Sequence, residues 1–190
     1  MVSTTGARRS RRDLLLGSGA GAALLLAGCG TATDPVRHEL SQLPRATRHA
    51  DVEILNLALD REYELIAAYT AGIPLLGGAG KTAAQRFLGQ DLSHAGELQG
   101  LVHEAGGKPG KPKPSYDLGQ PRGGADVLRL LSSLESALIA AYLDALPRLS
   151  AGHVRASVAS MLANEGQHVS FLRAALGRPP LPSAFVTGRE

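Results

Sequence analysis

The 190-residue chain is poor in the residues that mark several common classes of protein. It has no tryptophan, only 4% aromatic residues and a single cysteine. Few aromatic side chains leave little with which to stack nucleic-acid bases, and one cysteine cannot form an intramolecular disulfide. Hydrophobic residues nevertheless make up 44% of the chain, which is enough to build a core.

Nearly all of the net charge lies at the N-terminus. The whole chain carries +3, but the segment 1–28 holds four arginines, no lysine and one acid, Asp13. Four positive charges against one negative charge account for the full +3, so the rest of the chain is balanced. Binding to a phosphate backbone requires a basic surface, so we expect no nucleic-acid partner.

Residues 1–28 have the layout of a bacterial export signal. Four arginines precede an apolar run that extends from Leu14 to Gly28. This run is shorter than the roughly 20 residues of a membrane-spanning helix. Arg11 and Arg12, followed by Asp-Leu-Leu, resemble the twin-arginine export motif. The alternatives are the general secretion route and a basic disordered tail.

The only cysteine lies where a lipid anchor would be attached. The sequence Leu-Ala-Gly-Cys at residues 26–29 resembles a bacterial lipobox, in which the cysteine is lipidated and becomes the first mature residue. The alternative is a buried structural cysteine. We therefore predict an extracytoplasmic protein that is anchored to the bacterial cell membrane through Cys29, with the twin-arginine export machinery as a further partner.

The mature chain is predicted to be all-α. Residues 29–50 lack apolar periodicity and contain two prolines, which favours a flexible tether. A four-helix bundle is expected at 51–177, followed by a C-terminal tail at 178–190. Its amphipathic segments are 51–76, 81–106, 126–147 and 151–176.

The links between these segments predict two antiparallel helix hairpins. The first and last links are short, whereas the middle link, 107–125, is long and contains four prolines. A link of this length can extend about 60 Å, which exceeds the roughly 36 Å of a helix of about 24 residues. It can therefore run the length of the bundle as a crossover.

A repeated motif places carboxylates on the apolar faces of the helices. The sequence Leu-Ile-Ala-Ala-Tyr occurs at 65–69 and 138–142, and each copy follows a glutamate, Glu62 or Glu135. At about 100° per residue each glutamate lies in the middle of its apolar stripe. Each following helix carries an acid and a histidine at positions i and i+3: Asp91 with His94, and Glu165 with His168.

Four inward carboxylates need compensating charge. An unpaired buried ion costs several kcal/mol, and two divalent cations would balance four carboxylates. Mixed oxygen and imidazole ligands suit iron, manganese or zinc. The alternative is a vestigial site whose carboxylates are protonated or solvated. We also expect the hydroxyls of Tyr69 and Tyr142, each two turns after a glutamate, to bond a nearby carboxylate or the backbone.

The ligand pattern resembles that of the ferritin-like superfamily, in which two helices each supply a Glu and two supply Glu-x-x-His. The resemblance covers about residues 51–187. The stretch from Glu135 to A-F-V at 184–186 further resembles the branch that includes desiccation-related proteins. The resemblance implies a ferritin-like bundle and a di-iron or di-manganese centre held by six residues: Glu62, Asp91, His94, Glu135, Glu165 and His168.

The same resemblance leaves two functions open. One is redox chemistry with oxygen or peroxide, such as ferroxidase, peroxide-disproportionating or oxidase activity. The other is a non-enzymatic stress-protection or partner-binding bundle with a weak metal site. A homo-oligomer also fits, but a lipid anchor on every subunit argues against a ferritin cage. Because Asp91 is one methylene shorter than the usual glutamate, we expect it to chelate one ion, which makes the half with Glu135, Glu165 and His168 the stronger site.

The N-terminal signals predict two separable defects. Replacing Arg11 and Arg12 together by lysine should block export, because the twin-arginine pair would be lost. Cys29→Ser should release the protein from the membrane fraction, because no thiol is left to lipidate. Cell fractionation and immunoblotting measure both. Normal membrane retention of the Cys29→Ser protein would overturn the lipoprotein hypothesis.

Overall fold

The computed structural model describes residues 39–189, so the predicted signal peptide, Cys29 and the first part of the tether lie outside the described residues. Every regular element in this range is a helix. They are α1 (Glu39–Gln42), α2 (Arg45–Gly72), a 3-10 turn (Ile73–Leu75), α3 (Gly78–Glu104), α4 (Gly124–Ala145) and α5 (Gly152–Ala175). The predicted all-α bundle is confirmed. Within 39–189, no helix is both long and apolar enough to cross a membrane.

The prediction of a flexible tether as far as residue 50 is wrong for its last part. Helix α1 lies within that range, and its Leu40 is fully buried in the core. Helix α2 begins at Arg45, directly after Pro44, rather than at 51. Most of residues 45–50 are exposed, so this extra stretch of helix carries no apolar stripe by which periodicity could reveal it.

The α2–α3 and α4–α5 hairpins form the bundle, and the long link connects them as predicted. The link begins beside the first half of α2, where Asn56 donates to the carbonyl of Lys108 at 3.2 Å. It continues past Asp60, which pairs with Lys113 at 2.7 Å. It ends where Gly124 lies next to the carbonyl of Leu75, beyond the end of α2. The crossover therefore runs lengthwise and starts α4 antiparallel to α2.

Glycines end two of the long helices. Gly106 after α3 and Gly177 after α5 both have positive φ, 80° and 69°. In each case the next residue donates its backbone N–H to a carbonyl in the last turn of the helix, that of Val102 or Arg173. This closure satisfies carbonyls that the helix leaves free at its C-terminus. The tail that follows α5 is tied back, because Arg173 donates its Nε to the carbonyl of Pro179 at 2.9 Å.

Two glycine-to-alanine changes should have opposite effects on stability, because Gly72 of α2 packs against α4 whereas Gly100 of α3 faces open space. A methyl group on Gly72 would lie 2.6 Å from Cγ1 of Val127, whereas one on Gly100 in α3 would meet nothing within 4 Å. Gly72→Ala should therefore cost about 1–3 kcal/mol of stability through overpacking. Gly100→Ala should stabilise the protein by about 0.5–1 kcal/mol through helix propensity.

Thermal or urea unfolding of the two variants measures these changes. Val127→Ala, combined with Gly72→Ala, should recover part of the loss because it removes the obstructing methyl group. Equal stability of Gly72→Ala and Gly100→Ala would show that α2 and α4 are not in close contact at this point.

Candidate metal centre

The six candidate ligands meet in the middle of the bundle, each supplied by one of the four long helices. They form two overlapping groups, and within each group the ligand atoms all lie within 4.8 Å of one another. The first group is Glu62, Asp91, His94 and Glu165, and the second is Asp91, Glu135, Glu165 and His168. Two carboxylates are therefore common to both groups.

The repeated motif positions its glutamates by a reciprocal contact between α2 and α4. Tyr69 of the first copy donates to Oε1 of Glu135 at 2.5 Å, and Tyr142 of the second copy donates to Oε1 of Glu62. Because the two helices are antiparallel, the tyrosine of each copy lies opposite the glutamate of the other. The expectation that these hydroxyls bond a carboxylate is confirmed, and each glutamate keeps its second oxygen for another contact.

The two histidines face the carboxylates through Nδ1. Nδ1 of His168 is 2.8 Å from Oε2 of Glu165 and 3.1 Å from Oε1 of Glu135. Nδ1 of His94 is 2.7 Å from Oε1 of Glu165, yet it has no hydrogen bond in the described part of the chain. This short contact is compatible both with a charged pair and with two ligand atoms that face one ion.

Asp91 lies between the two groups, although a single ion was expected for it. Its Oδ1 is 4.0 Å from Nδ1 of His94 and 3.7 Å from Nδ1 of His168. Asp91 therefore faces the histidines of both halves, and its chelation of a single ion stays a prediction. The halves differ instead in exposure, since the side chain of His94 is 13% exposed and that of His168 only 1%.

The donor set fits a pair of divalent cations. All four carboxylates are fully buried, and six of their oxygens have no hydrogen-bond partner among the described residues. These are Oε2 of Glu62, both oxygens of Asp91, Oε2 of Glu135 and both oxygens of Glu165. Buried polar atoms are nearly always satisfied, and carboxylate oxygens with imidazole nitrogens are ligands for iron, manganese and zinc.

Without metal, burial raises the pKa values of three of these four carboxyl groups. Burial raises the pKa of Asp91 to about 9, and the charges of Glu165 and Glu62 add to the shift. Burial also raises the pKa of Glu62 and holds that of Glu135 well above its usual range. Asp91 therefore retains a proton near neutral pH, and burial disfavours the charged forms of Glu62 and Glu135.

Glu165 and His94 form the charged pair of the centre. Burial opposes ionisation of Glu165, but contacts with His168 and His94 outweigh it and lower its pKa to about 2. Burial likewise opposes protonation of His94, yet Glu165 and Glu62 raise its pKa to about 10. Cations bound here would displace the retained protons, so metal affinity should increase with pH.

A groove between α3 and α5 reaches His94 from solvent. It has a volume of about 570 Å³, and the partly exposed side chain of His94 is part of its lining. Serine, asparagine and glutamine side chains form much of the lining, including Ser93, Asn164 and Gln167. A small polar molecule or a hydrated ion could approach the His94 side by this route, while His168 stays covered.

Three contacts of the centre were not predicted from the sequence. Gln90 places its Oε1 2.8 Å from Nε2 of His168, and the ring of Phe87 stacks on the same histidine at 4.0 Å between centroids. Sδ of Met161 lies 3.5 Å from the hydroxyl of Tyr142. Gln90 directly precedes Asp91, but one polar residue beside an apolar stripe does not reveal which helix it will contact.

The model of the ferritin-like domain matches residues 50–178. The chain belongs to this ferritin-like domain family. No curated protein matches it.

Two solved structures are similar to this ferritin-like chain in fold. One is a conserved hypothetical protein from Mycobacterium tuberculosis, with 20% identity, a TM-score of 0.66 and coverage of 73% of this chain and 99% of that one. The other is described as a ferritin-like, diiron-carboxylate protein from Bacillus anthracis, with 20% identity, a TM-score of 0.61 and coverage of 68% and 97%. At this identity the likeness establishes the fold alone.

The raised pKa values predict that the metal-free protein loses stability as pH rises from 6 to 9. Over this range the folded chain holds a proton on Asp91, with a pKa of about 9 against the usual 3.8, and on His94, about 10 against 6.5. The unfolded chain holds these protons less, so the free energy of unfolding falls with pH. Glu165 stays ionised throughout and contributes no slope in this range.

Melting temperatures of chelator-treated protein at pH 6, 7, 8 and 9 measure the slope. Asp91→Asn is the matched control, because a neutral amide of similar size should flatten the dependence. A melting temperature that rises from pH 6 to 9 in the chelated wild type would contradict the electrostatic analysis.

Proposed function

We propose that this protein is an exported, lipid-anchored member of the ferritin-like family that binds two divalent ions, iron or manganese, and supports redox chemistry with oxygen or peroxide. One observation carries the proposal: six buried carboxylate oxygens lack a hydrogen-bond partner in the described chain and belong to a single cluster with two histidines. Protonation can neutralise part of this charge, whereas two divalent cations would take the carboxylate oxygens and the imidazole nitrogens together as ligands.

The residues divide naturally between two ions. Glu62 and His94 would hold one ion, and Glu135 and His168 the other. Asp91 and Glu165 belong to both groups and would serve both ions. The diiron-carboxylate description of the similar Bacillus anthracis structure supports iron as the metal.

Bound iron or manganese would supply the electrons for reduction of oxygen or peroxide. The protein side chains would orient the ligands and keep bulk water out. Burial raises the pKa of both Tyr69 and Tyr142 well above its usual value, so the phenols keep their protons and remain donors to Glu135 and Glu62. Each tyrosine thereby fixes one oxygen of a ligand and leaves the other oxygen free for a metal.

The groove supports a small polar substrate. Its lining of hydroxyl and amide groups offers hydrogen bonds, and Met161 and Ala163 add apolar surface beside them. Of the six candidate ligands only His94 lines this groove, so oxygen, peroxide or a hydrated metal ion would meet His94 first.

Export by the twin-arginine route fits a protein that acquires its metals before it leaves the cytoplasm. That route carries folded proteins, and the centre proposed here forms only when all four long helices are packed. The support for the route and for the anchor is the sequence of residues 1–29, with its arginine pair, short apolar run and Leu-Ala-Gly-Cys ending.

Metal stoichiometry tests the proposal. Purified protein, reconstituted anaerobically with Fe(II) or Mn(II) and freed of excess metal, should hold two ions per chain by elemental analysis. Glu165→Gln should reduce this to less than one, because it alters a ligand common to both groups. The reconstituted wild type should then consume oxygen or peroxide faster than the metal-free protein.

Glu97→Gln is the matched control. Glu97 lies one turn after His94 on α3, but it is exposed and accepts a hydrogen bond from Ser157 rather than facing the centre. It should leave the stoichiometry at two. A wild type that retains no metal would reject the site, and two bound ions without consumption of oxygen or peroxide would favour a non-enzymatic bundle.

A further inference from the structure

The two histidines of the centre are supported differently on the side that faces away from the carboxylates. Nε2 of His168 lies 2.8 Å from Oε1 of Gln90, which comes from α3 on the opposite hairpin. Phe87, one turn earlier on the same helix, stacks on the imidazole with 25° between the rings. Gln90 therefore holds the edge of the His168 ring, and Phe87 covers one of its faces.

This contact determines which nitrogen of His168 carries the proton. An amide oxygen can only accept, so Nε2 must donate its N–H to Gln90. A metal-bound imidazole is neutral, so with the proton on Nε2 the ligand atom would be Nδ1, which lies 2.8 Å from Glu165 and 3.1 Å from Glu135. A metal ligand of this kind needs its second nitrogen held by an acceptor, because that hydrogen bond fixes both the tautomer and the orientation.

The internal repeat identifies the corresponding position beside His94. Asp91 and His94 correspond to Glu165 and His168, so Gln90, which directly precedes Asp91, corresponds to Asn164, which directly precedes Glu165. Asn164 lines the same groove as His94. Its side chain is one methylene shorter, and the described residues show no hydrogen bond between Asn164 and His94. The second histidine consequently lacks the support that the first one has.

We propose that Gln90 is a positioning residue that holds His168 with Nδ1 directed at the metal centre, and that Asn164, its counterpart, leaves His94 free to move at the open end of the groove. This inference rests on the metal binding proposed above. It assigns the more rigid and tighter site to the His168 half, and the more labile site to the His94 half.

Titration with Co(II), monitored by absorption spectroscopy, measures how much Gln90 contributes to metal affinity. Gln90→Leu keeps the approximate size of the side chain but removes the acceptor, so the tighter of the two sites should lose about 10- to 100-fold in affinity. Gln90→Glu should restore it, because a carboxylate also accepts from Nε2. Asn164→Gln should strengthen the weaker site if the longer amide supplies His94 with the acceptor that Gln90 supplies to His168.

Gln167→Leu is the matched control. Gln167 is a glutamine of the same groove whose amide donates to the carbonyl of Ala163 at 3.4 Å, so both affinities should stay unchanged. Unchanged Co(II) affinity in Gln90→Leu would overturn the positioning role while leaving metal binding intact. A wild type that binds no Co(II) would reject both proposals.

The tautomer provides a readout that a merely structural role would not change. In the Zn(II)-loaded wild type, nitrogen-15 NMR of the histidine rings should show a slowly exchanging proton on Nε2 of His168 and metal on Nδ1. In Gln90→Leu this proton should exchange rapidly, and in Gln90→Glu its protection should return. A wild type with the proton on Nδ1 and metal on Nε2 would refute the inference.

Discussion

Burial of four carboxylates at the centre of a small bundle is the constraint on which the rest of the structure depends. Taking such charges out of water is costly, so the surrounding elements either supply donors or bring the acids close enough to share a cation. The tyrosines of the repeated motif supply one donor to each of Glu62 and Glu135. The histidines approach Glu165 from both sides. What remains is a set of oxygens whose natural partners are metal ions.

The long crossover makes this arrangement possible. Because it runs along α2 from Asn56 to Leu75, it delivers α4 antiparallel to α2. Only in that orientation does Tyr69 meet Glu135 while Tyr142 meets Glu62. The tyrosine of each Leu-Ile-Ala-Ala-Tyr copy therefore bonds the glutamate that precedes the other copy. The repeat in the sequence thus corresponds to an approximate two-fold arrangement of the candidate ligands. The symmetry fails where a side chain changes length, at Asp91 against Glu165 and at Gln90 against Asn164.

The sequence predicted the helices and the inward-facing glutamates, because these depend on burial and spacing along one chain. It did not predict contacts that depend on the distance between two helices. Apolar stripes of helical period revealed the four long helices and placed Glu62 and Glu135 inward, since buried positions carry the signal. The stretch of α2 before residue 51 is mostly exposed and carries no such signal. The reach of Asp91 to both halves and the contact from Gln90 to His168 depend on how closely α3 lies to α5, which periodicity along one chain does not encode.

Anomalous diffraction from crystals of the iron-loaded protein, recorded at the iron absorption edge, tests the central claim most directly. Two peaks should appear inside the bundle, one bounded by Glu62 and His94 and the other by Glu135 and His168. Asp91 and Glu165 should lie between the two peaks. Iron found only at surface residues, with the six central oxygens bonded to water or to one another, would contradict a metal centre in this bundle.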